Sequence, residues 1–172
     1  MKKSKRATRI KDINPIIVIV AIIIIFSFIG YAALMQLSIA NAELVLAWPG
    51  GVLEVEDNFI ILGRNCTAII AETSKERAQA IEMGLHNIIP VRPTTYDTVA
   101  QVLKSYNITL DRVELQRYDG TYYYADAIFT SKDKQLRLDI MPSDGIALAL
   151  RTNASIFINK TLLDSIGENI CL

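Results

Sequence analysis

The chain has 172 residues, 51% of them hydrophobic, with 18 basic and 18 acidic residues and two cysteines. That length holds one ordinary domain and a short extension rather than two domains. Six bases but only one acid precede the first apolar run, which leaves twelve basic and seventeen acidic residues from Asn41 onward. The resulting net charge of about −5 repels a phosphate backbone unless basic side chains cluster locally, so a broadly basic nucleic-acid-binding surface is excluded.

Residues 1–14 carry Lys2, Lys3, Lys5, Arg6, Arg9 and Lys11 against Asp12 alone. No charge then occurs until Glu43, and residues 15–40 are dominated by Ile, Val, Phe, Ala and Leu. About 20 apolar residues at 1.5 Å rise cross a ~30 Å hydrocarbon core, so 15–40 is expected to be a transmembrane helix in a lipid bilayer. The basic side faces the cytoplasm, which puts residues 41–172 outside. Ala40-Asn41-Ala42 has the small-x-small form of a signal-peptide cleavage site, but the apolar run exceeds a normal signal core of roughly 7–15 residues, which favours a retained anchor. Asn65-Cys66-Thr67, Asn107-Ile108-Thr109, Asn153-Ala154-Ser155 and Asn159-Lys160-Thr161 fit the N-glycosylation sequon, as an outward-facing domain would. Cys66 and Cys171 lie far apart in sequence, and spacing alone favours two separate thiols over a disulfide.

Residues 41–51 read as a linker ending in Pro49-Gly50-Gly51, and 52–172 as the globular domain. Val52–Glu56, Phe59–Leu62 and Thr67–Ala71 are short β-branched or aromatic runs separated by turn residues, hence three strands. Thr73-Ser74-Lys75-Glu76 has capping-box spacing and Gly84 offers a stop, so a helix is expected from about Ser74 to Met83. After Arg92-Pro93, Thr94 can cap with Asp97, and Val99, Val102, Leu103 and Tyr106 repeat at helical intervals. Val113–Arg117 and Tyr122–Phe129 flank Asp119-Gly120 as a hairpin, and Gln135–Ile140 alternates as a further strand. Ser143 can cap a buried helix to about Thr152; Ser155–Ile158 and a short helix from Lys160 to Ile166 close the chain before Gly167. The expected class is α+β, a mixed-sheet domain whose element order hints at an internal βββα duplication, preceded by one transmembrane helix.

The run Met141-Pro142-Ser143-Asp144-Gly145-Ile146-Ala147-Leu148-Ala149-Leu150-Arg151, followed by Ser155-Ile156-Phe157-Ile158, resembles the closing motif of the bifunctional nuclease family. Arg92-Pro93-Thr94-Thr95-Tyr96-Asp97 resembles its Arg-Pro-x-Thr-His-Asp segment, Asp119-Gly120-Thr121-Tyr122-Tyr123 its hairpin, and Ala78-Gln79-Ala80-Ile81 falls in its first helix. The resemblance covers about Val52 to Gly167. It implies an α+β domain and, by the family's name, a nuclease acting on DNA and RNA. Three polar positions depart from it: Met141 stands where the family usually has Arg, Tyr96 where it usually has His, and Arg77 where it often has Glu.

Phosphodiester hydrolysis needs stabilisation of developing negative charge and a base that activates water. Asp97 and Asp144, at helix starts in the matching segments, are candidate catalytic carboxylates and ligands for a divalent metal such as Mg²⁺ or Mn²⁺, and their plainer role is to complement helix dipoles. Asp139 joins Asp144 if their faces align. Arg92 and Arg151 are the candidate phosphate clamps, unless they pair with Asp97 and Asp144. His86 has no partner to make a base or a ligand set. Of Tyr122, Tyr123 and Tyr124, alternation turns Tyr123 away from its neighbours, which reads as core packing with one exposed ring rather than a base-stacking platform. Two readings follow: a membrane-anchored, metal-assisted nuclease with nucleic acid as substrate, or a non-catalytic module that kept the fold and serves a protein partner at the outer membrane surface.

Overall fold

The computed structural model describes residues 15–40 and 43–171, with side chains in the first helix described only over 18–31. The chain forms two units, 1–41 and 42–172. In the first, α1 (Pro15–Ala40) is one continuous helix of 26 residues, and its described apolar side chains, including Ile23, Phe26 and Phe28, are exposed. No helix among the described residues is long and apolar enough by itself to cross a membrane.

The second unit is α+β, with two sheets. One is a meander, β2 (Val52–Glu56), β3 (Phe59–Arg64) and β4 (Thr67–Glu72), closed by the short β9 (Glu168–Asn169). The other contains β1 (Leu44–Trp48), β5 (Thr109–Tyr118), β6 (Tyr123–Ser131), β7 (Lys134–Ile140) and β8 (Ser155–Asn159), in the order β1-β8-β5-β6-β7. All pairings are antiparallel except β5 with β8. A helix follows each meander: α2 (Lys75–Leu85) after β4 and α4 (Pro142–Thr152) after β7, with α3 (Thr95–Ser105) between the meanders and α5 (Lys160–Ile166) after β8. The βββα order therefore recurs, but the two meanders lie in different sheets.

Residues 41–51 are more than a linker. Leu44–Trp48 forms β1, whose antiparallel partner is β8, Leu44 facing Asn159 and Val45 facing Ile158. A five-residue apolar strand is set by its partner rather than by a local signal, and that partner lies more than a hundred residues away.

Helix α4 is the centre of the core. Ile146, Ala147, Leu148 and Ala149 are all buried, with Val113, Ile156 and Ile158 beneath and Ile81 of α2 in the same cluster. Two glycines set the spacing. A Cβ on Gly145 would stand 2.9 Å from Val113 Cγ1 and 3.2 Å from Ile140 Cγ2, and one on Gly84 would stand 2.9 Å from Leu150 Cβ. Gly84 therefore does not stop α2, which runs to Leu85 with His86 as C-cap; it lets α2 lie close on α4. Ser143 is likewise not the cap of α4: Met141 occupies that position without a side-chain bond, Pro142 opens the helix, and Ser143 is buried in its first turn.

Cys66 and Cys171 form a disulfide, contrary to the expectation of separate thiols. Strand β9 aligns Asn169 with Thr67, and Ile170 N–H donates to Cys66 O at 3.0 Å. This backbone pairing brings the two Cα atoms to 5.0 Å, inside the range a disulfide bridges. No sequence spacing reveals such a meeting.

Candidate functional site

The first turns of α2 and α4 border a cleft of about 220 Å³ whose walls include Ile60, Leu62, Ile69, Leu115, Tyr123 and Ile146. Arg77, Ser74, Ser143 and Met141 form part of its more polar border. Ser74 caps α2, its hydroxyl accepting from Arg77 N–H, which projects Arg77 from the first turn toward the start of α4. There Arg77 Nε donates to Asp144 Oδ1 at 3.1 Å, and Tyr96 Oη donates to the same oxygen at 2.8 Å. Arg77 Nη2 lies 3.3 Å from Met141 Sδ. Burial raises the Tyr96 phenol, and the bond to Asp144 adds to this, pushing its pKa up to about 12. The three positions that depart from the family pattern, Arg77, Tyr96 and Met141, thus meet around Asp144.

Asp97 belongs to a different structure. It is the N3 residue of a complete capping box on α3: its Oδ2 accepts from Thr94 N–H at 2.8 Å and from Thr94 Oγ1 at 2.7 Å. Its other oxygen lies 3.0 Å from Arg151 Nε, with both side chains 6–7% exposed. Burial alone would raise the Asp97 carboxyl, but the Thr94 hydroxyl and amide and the Arg151 charge outweigh it and hold the pKa below the ordinary carboxylate range. Arg151 Nη1 donates to Met83 O at 3.3 Å. Its Nε and Nη2 are buried without an aligned hydrogen bond. The 3.0 Å approach to Asp97 is therefore a charge contact rather than a well-directed bond. This pair ties the start of α3 to the end of α4. Arg151 and Asp97, read from the sequence as a phosphate clamp and a metal ligand, are here engaged with each other, and each charge is neutralised out of water.

Asp139 does not join Asp144. Ile140, its neighbour on β7, faces Gly145 of α4, so strand alternation turns Asp139 to the opposite side of the sheet. There it faces Asp126, which in turn faces Glu114. Glu114 is the buried charge that pattern reading missed: it is 2% exposed and accepts from Arg112 Nε at 2.6 Å, Gln116 Nε2 at 2.7 Å and Arg137 Nη1 at 2.9 Å. Arg137 also bridges to Asp126 at 2.6 Å. The alternation of Arg112, Glu114 and Gln116 along one strand face is the available signal, but a polar face normally reads as solvated. Arg92 is exposed on the bend before α3, apart from the Asp144 cluster's hydrogen bonds.

The tyrosines divide as alternation requires. Tyr123 stacks on Tyr118 with centroids 4.4 Å apart, Tyr122 is exposed, and Arg117 lies over the Tyr124 ring at 3.4 Å. Asp119 organises this hairpin by accepting from the Thr121 and Tyr122 amides and from Tyr124 Oη. The Tyr122 amide first, then the Tyr124 hydroxyl, lower its carboxyl to about 2.

Sequons occupy positions where asparagine has a conformational reason to be. Asn65, Asn107 and Asn153 have φ near +55° (54°, 54° and 57°), a left-handed region asparagine tolerates well. Asn159 caps α5 by accepting from Thr161 N–H. The first three are exposed.

The donor set does not fit a divalent cation. Asp144 gives one oxygen to both Arg77 and Tyr96, Asp97 is paired with Arg151, and no group of three His, Cys, Asp or Glu side chains with metal-holding geometry occurs among the described residues. What fold and site define is a two-sheet α+β domain with an apolar cleft beside a neutralised arginine–carboxylate–tyrosine cluster. The model of the bifunctional nuclease domain matches residues 63–170, and the chain belongs to that family. Two proteins of Mycobacterium tuberculosis, from strains CDC 1551 and H37Rv and both described as uncharacterized, are each 28% identical over 93 residues, covering 54% of this chain and 55% of their own length. The chain thus spans about half the length of these relatives.

Proposed function

We propose that this protein is a membrane-anchored, outward-facing binding module of the bifunctional nuclease family rather than a phosphodiesterase. The observation that carries the reading is the state of Asp144. The acid of the family-like motif gives one oxygen to both Arg77 and Tyr96, so neither a water nor a metal reaches that oxygen without breaking two hydrogen bonds. A tyrosine with a pKa near 12 is a donor at neutral pH and a poor general base. The adjacent apolar cleft with its polar border has the make-up of a recognition site. Net negative charge in residues 41–172 argues against a long nucleic-acid footprint.

The anchor and the outward topology are supported by the uncharged apolar sequence of 15–40 and the basic segment before it, and by the disulfide, which persists in oxidising compartments. Protease protection of the intact membrane tests them: the domain should be digested from outside while residues 1–14 stay protected.

The second reading, a DNA and RNA hydrolase, is favoured by the family match over 63–170. The test takes the full chain in detergent micelles and incubates it with single-stranded DNA and RNA, with and without Mg²⁺ or Mn²⁺. The binding-module reading expects no cleavage above a Asp144→Ala control. Metal-dependent cleavage that vanishes in Asp144→Ala would overturn it and restore Asp144 as a catalytic acid.

A further inference from the structure

Strand β7 ends its sheet, paired with β6 on one side only. From Lys134 to Asp139 every residue is exposed. Leu136 and Leu138 are 54% and 46% exposed, although they share the face that buries Ala125 and Ala127 on β6. Natural sheet edges are usually shortened, bulged or interrupted by proline against association. This one is seven residues long, without proline, and in unbroken register with β6.

The backbone is set to pair outward. Lys132 and Asp133 form a two-residue turn that makes Ser131 and Lys134 a closing pair, a hydrogen-bonded one in such hairpins. Alternation then directs the N–H and C=O groups of Gln135, Arg137 and Asp139 away from β6.

We propose that β7 is a homodimer interface, in which two copies of this chain pair antiparallel about a twofold axis through Leu138 and join their five-stranded sheets. Symmetry makes this register self-complementary. Leu138 meets its own copy, Leu136 meets Ile140, and Arg137 meets Asp139 twice. Each pair keeps apolar side chains on the helix-covered face and charges on the other. A twofold axis through Arg137 would set Arg137 against itself, and one through Leu136 would set Leu138 against Lys134. Only the Leu138 register matches charge with charge. It also gives Asp139 a partner: within its own sheet it faces another acid, Asp126, and among the described residues it makes no ion pair or hydrogen bond. Pro142, with no N–H to donate, ends the ladder where α4 begins. Opposite Met141 the second copy brings its Gln135, so each Asp144 cluster lies beside the dimer seam.

The experiment uses the full chain in detergent micelles. Both native cysteines are in the disulfide, so an introduced cysteine is the reactive thiol among the described residues. Leu138→Cys should give a disulfide-linked dimer on mild oxidation, seen on a non-reducing gel, and Asp133→Cys at the hairpin tip should not. Asp139→Arg, an exposed position, should keep the Trp48 emission of the folded domain and weaken dimerisation at least tenfold by light scattering across a concentration series. A monomeric mass throughout would overturn the proposal, as would equal crosslinking of the two cysteine variants. A dimer unaffected by Asp139→Arg would also overturn it and assign association to another surface, such as α1.

Discussion

Asp97 and Asp144 look alike in sequence, each the acid in the first turn of a helix, yet their replacement by alanine should have very different consequences for stability. Asp97→Ala leaves the Arg151 guanidinium, 6% exposed, without its counter-charge; breaking one partner out of a buried pair costs about 3–5 kcal/mol. The same change removes half of the capping box on α3, a contribution of about 1 kcal/mol. Because these share one carboxylate they do not simply add, and about 4 kcal/mol is the reasonable total. Asp144 is about a third exposed (31%), so losing its bonds to Arg77 and Tyr96 costs about 1 kcal/mol. For a domain of about 130 residues, 1 kcal/mol moves Tm by roughly 4 °C. Asp97→Ala should therefore melt about 15 °C lower and Asp144→Ala about 4 °C lower. The single tryptophan, Trp48 on β1 and packed against the core, reports unfolding by its emission. Equal shifts in the two variants, or an Asp97→Ala shift under 5 °C, would refute the assignment of Asp97 to a structural pair.

The disulfide spans a sequence separation of 105, and a closed loop near 100 residues is worth about 4.7 kcal/mol of chain entropy in the simplest model. The Cys66→Ser/Cys171→Ser double variant should lose 2–5 kcal/mol, roughly the range for a native bridge, read as a lower urea midpoint. Gly145→Ala puts a methyl within 2.9 Å of Val113 Cγ1; it should cost about 1–3 kcal/mol by overpacking, whereas Gly120→Ala meets no atom and is strained only through its φ of 96°. Since the folded-state pKa of Asp97 is lowered, its stabilisation is fully present above the unfolded value of roughly 3.9 and is lost as pH falls below it. Stability should drop on acidification in wild type and less steeply in Asp97→Asn. Tyr96, raised to about 12, works the other way: its contribution is intact below about pH 10 and fades as pH rises toward 12. Ultraviolet titration should show a tyrosine ionising near 12, absent from Tyr96→Phe.

Local order was legible in the residues themselves. Apolar periodicity, turn residues and capping signals mark α2, α3, α4, the two meanders and the closing β8–α5 segment, because helices and hairpins are made by contacts between near neighbours. The Thr94–Asp97 capping box is such a contact, and so is the Asp119 turn. Even so, α3 shows where periodicity stops: its stripe is real, but Val102 and Tyr106 are 49% and 73% exposed, because a pattern tells which residues share a face and not whether anything covers it.

Tertiary structure alone decided the rest. β1 exists because β8 returns to it; Cys66 meets Cys171 because β9 aligns on β4; Arg151 is spent on Asp97 because α4 ends where α3 begins. Arg77 and Tyr96 stand 64 and 45 positions before Met141, and only the packing of both α2 and α3 on α4 gathers the three around Asp144. The sequence by itself determined which residues could be helix, strand, turn or charge. Which charge neutralises which depends on Coulomb and hydrogen-bond contacts within a few ångströms, and such proximity belongs to the folded chain.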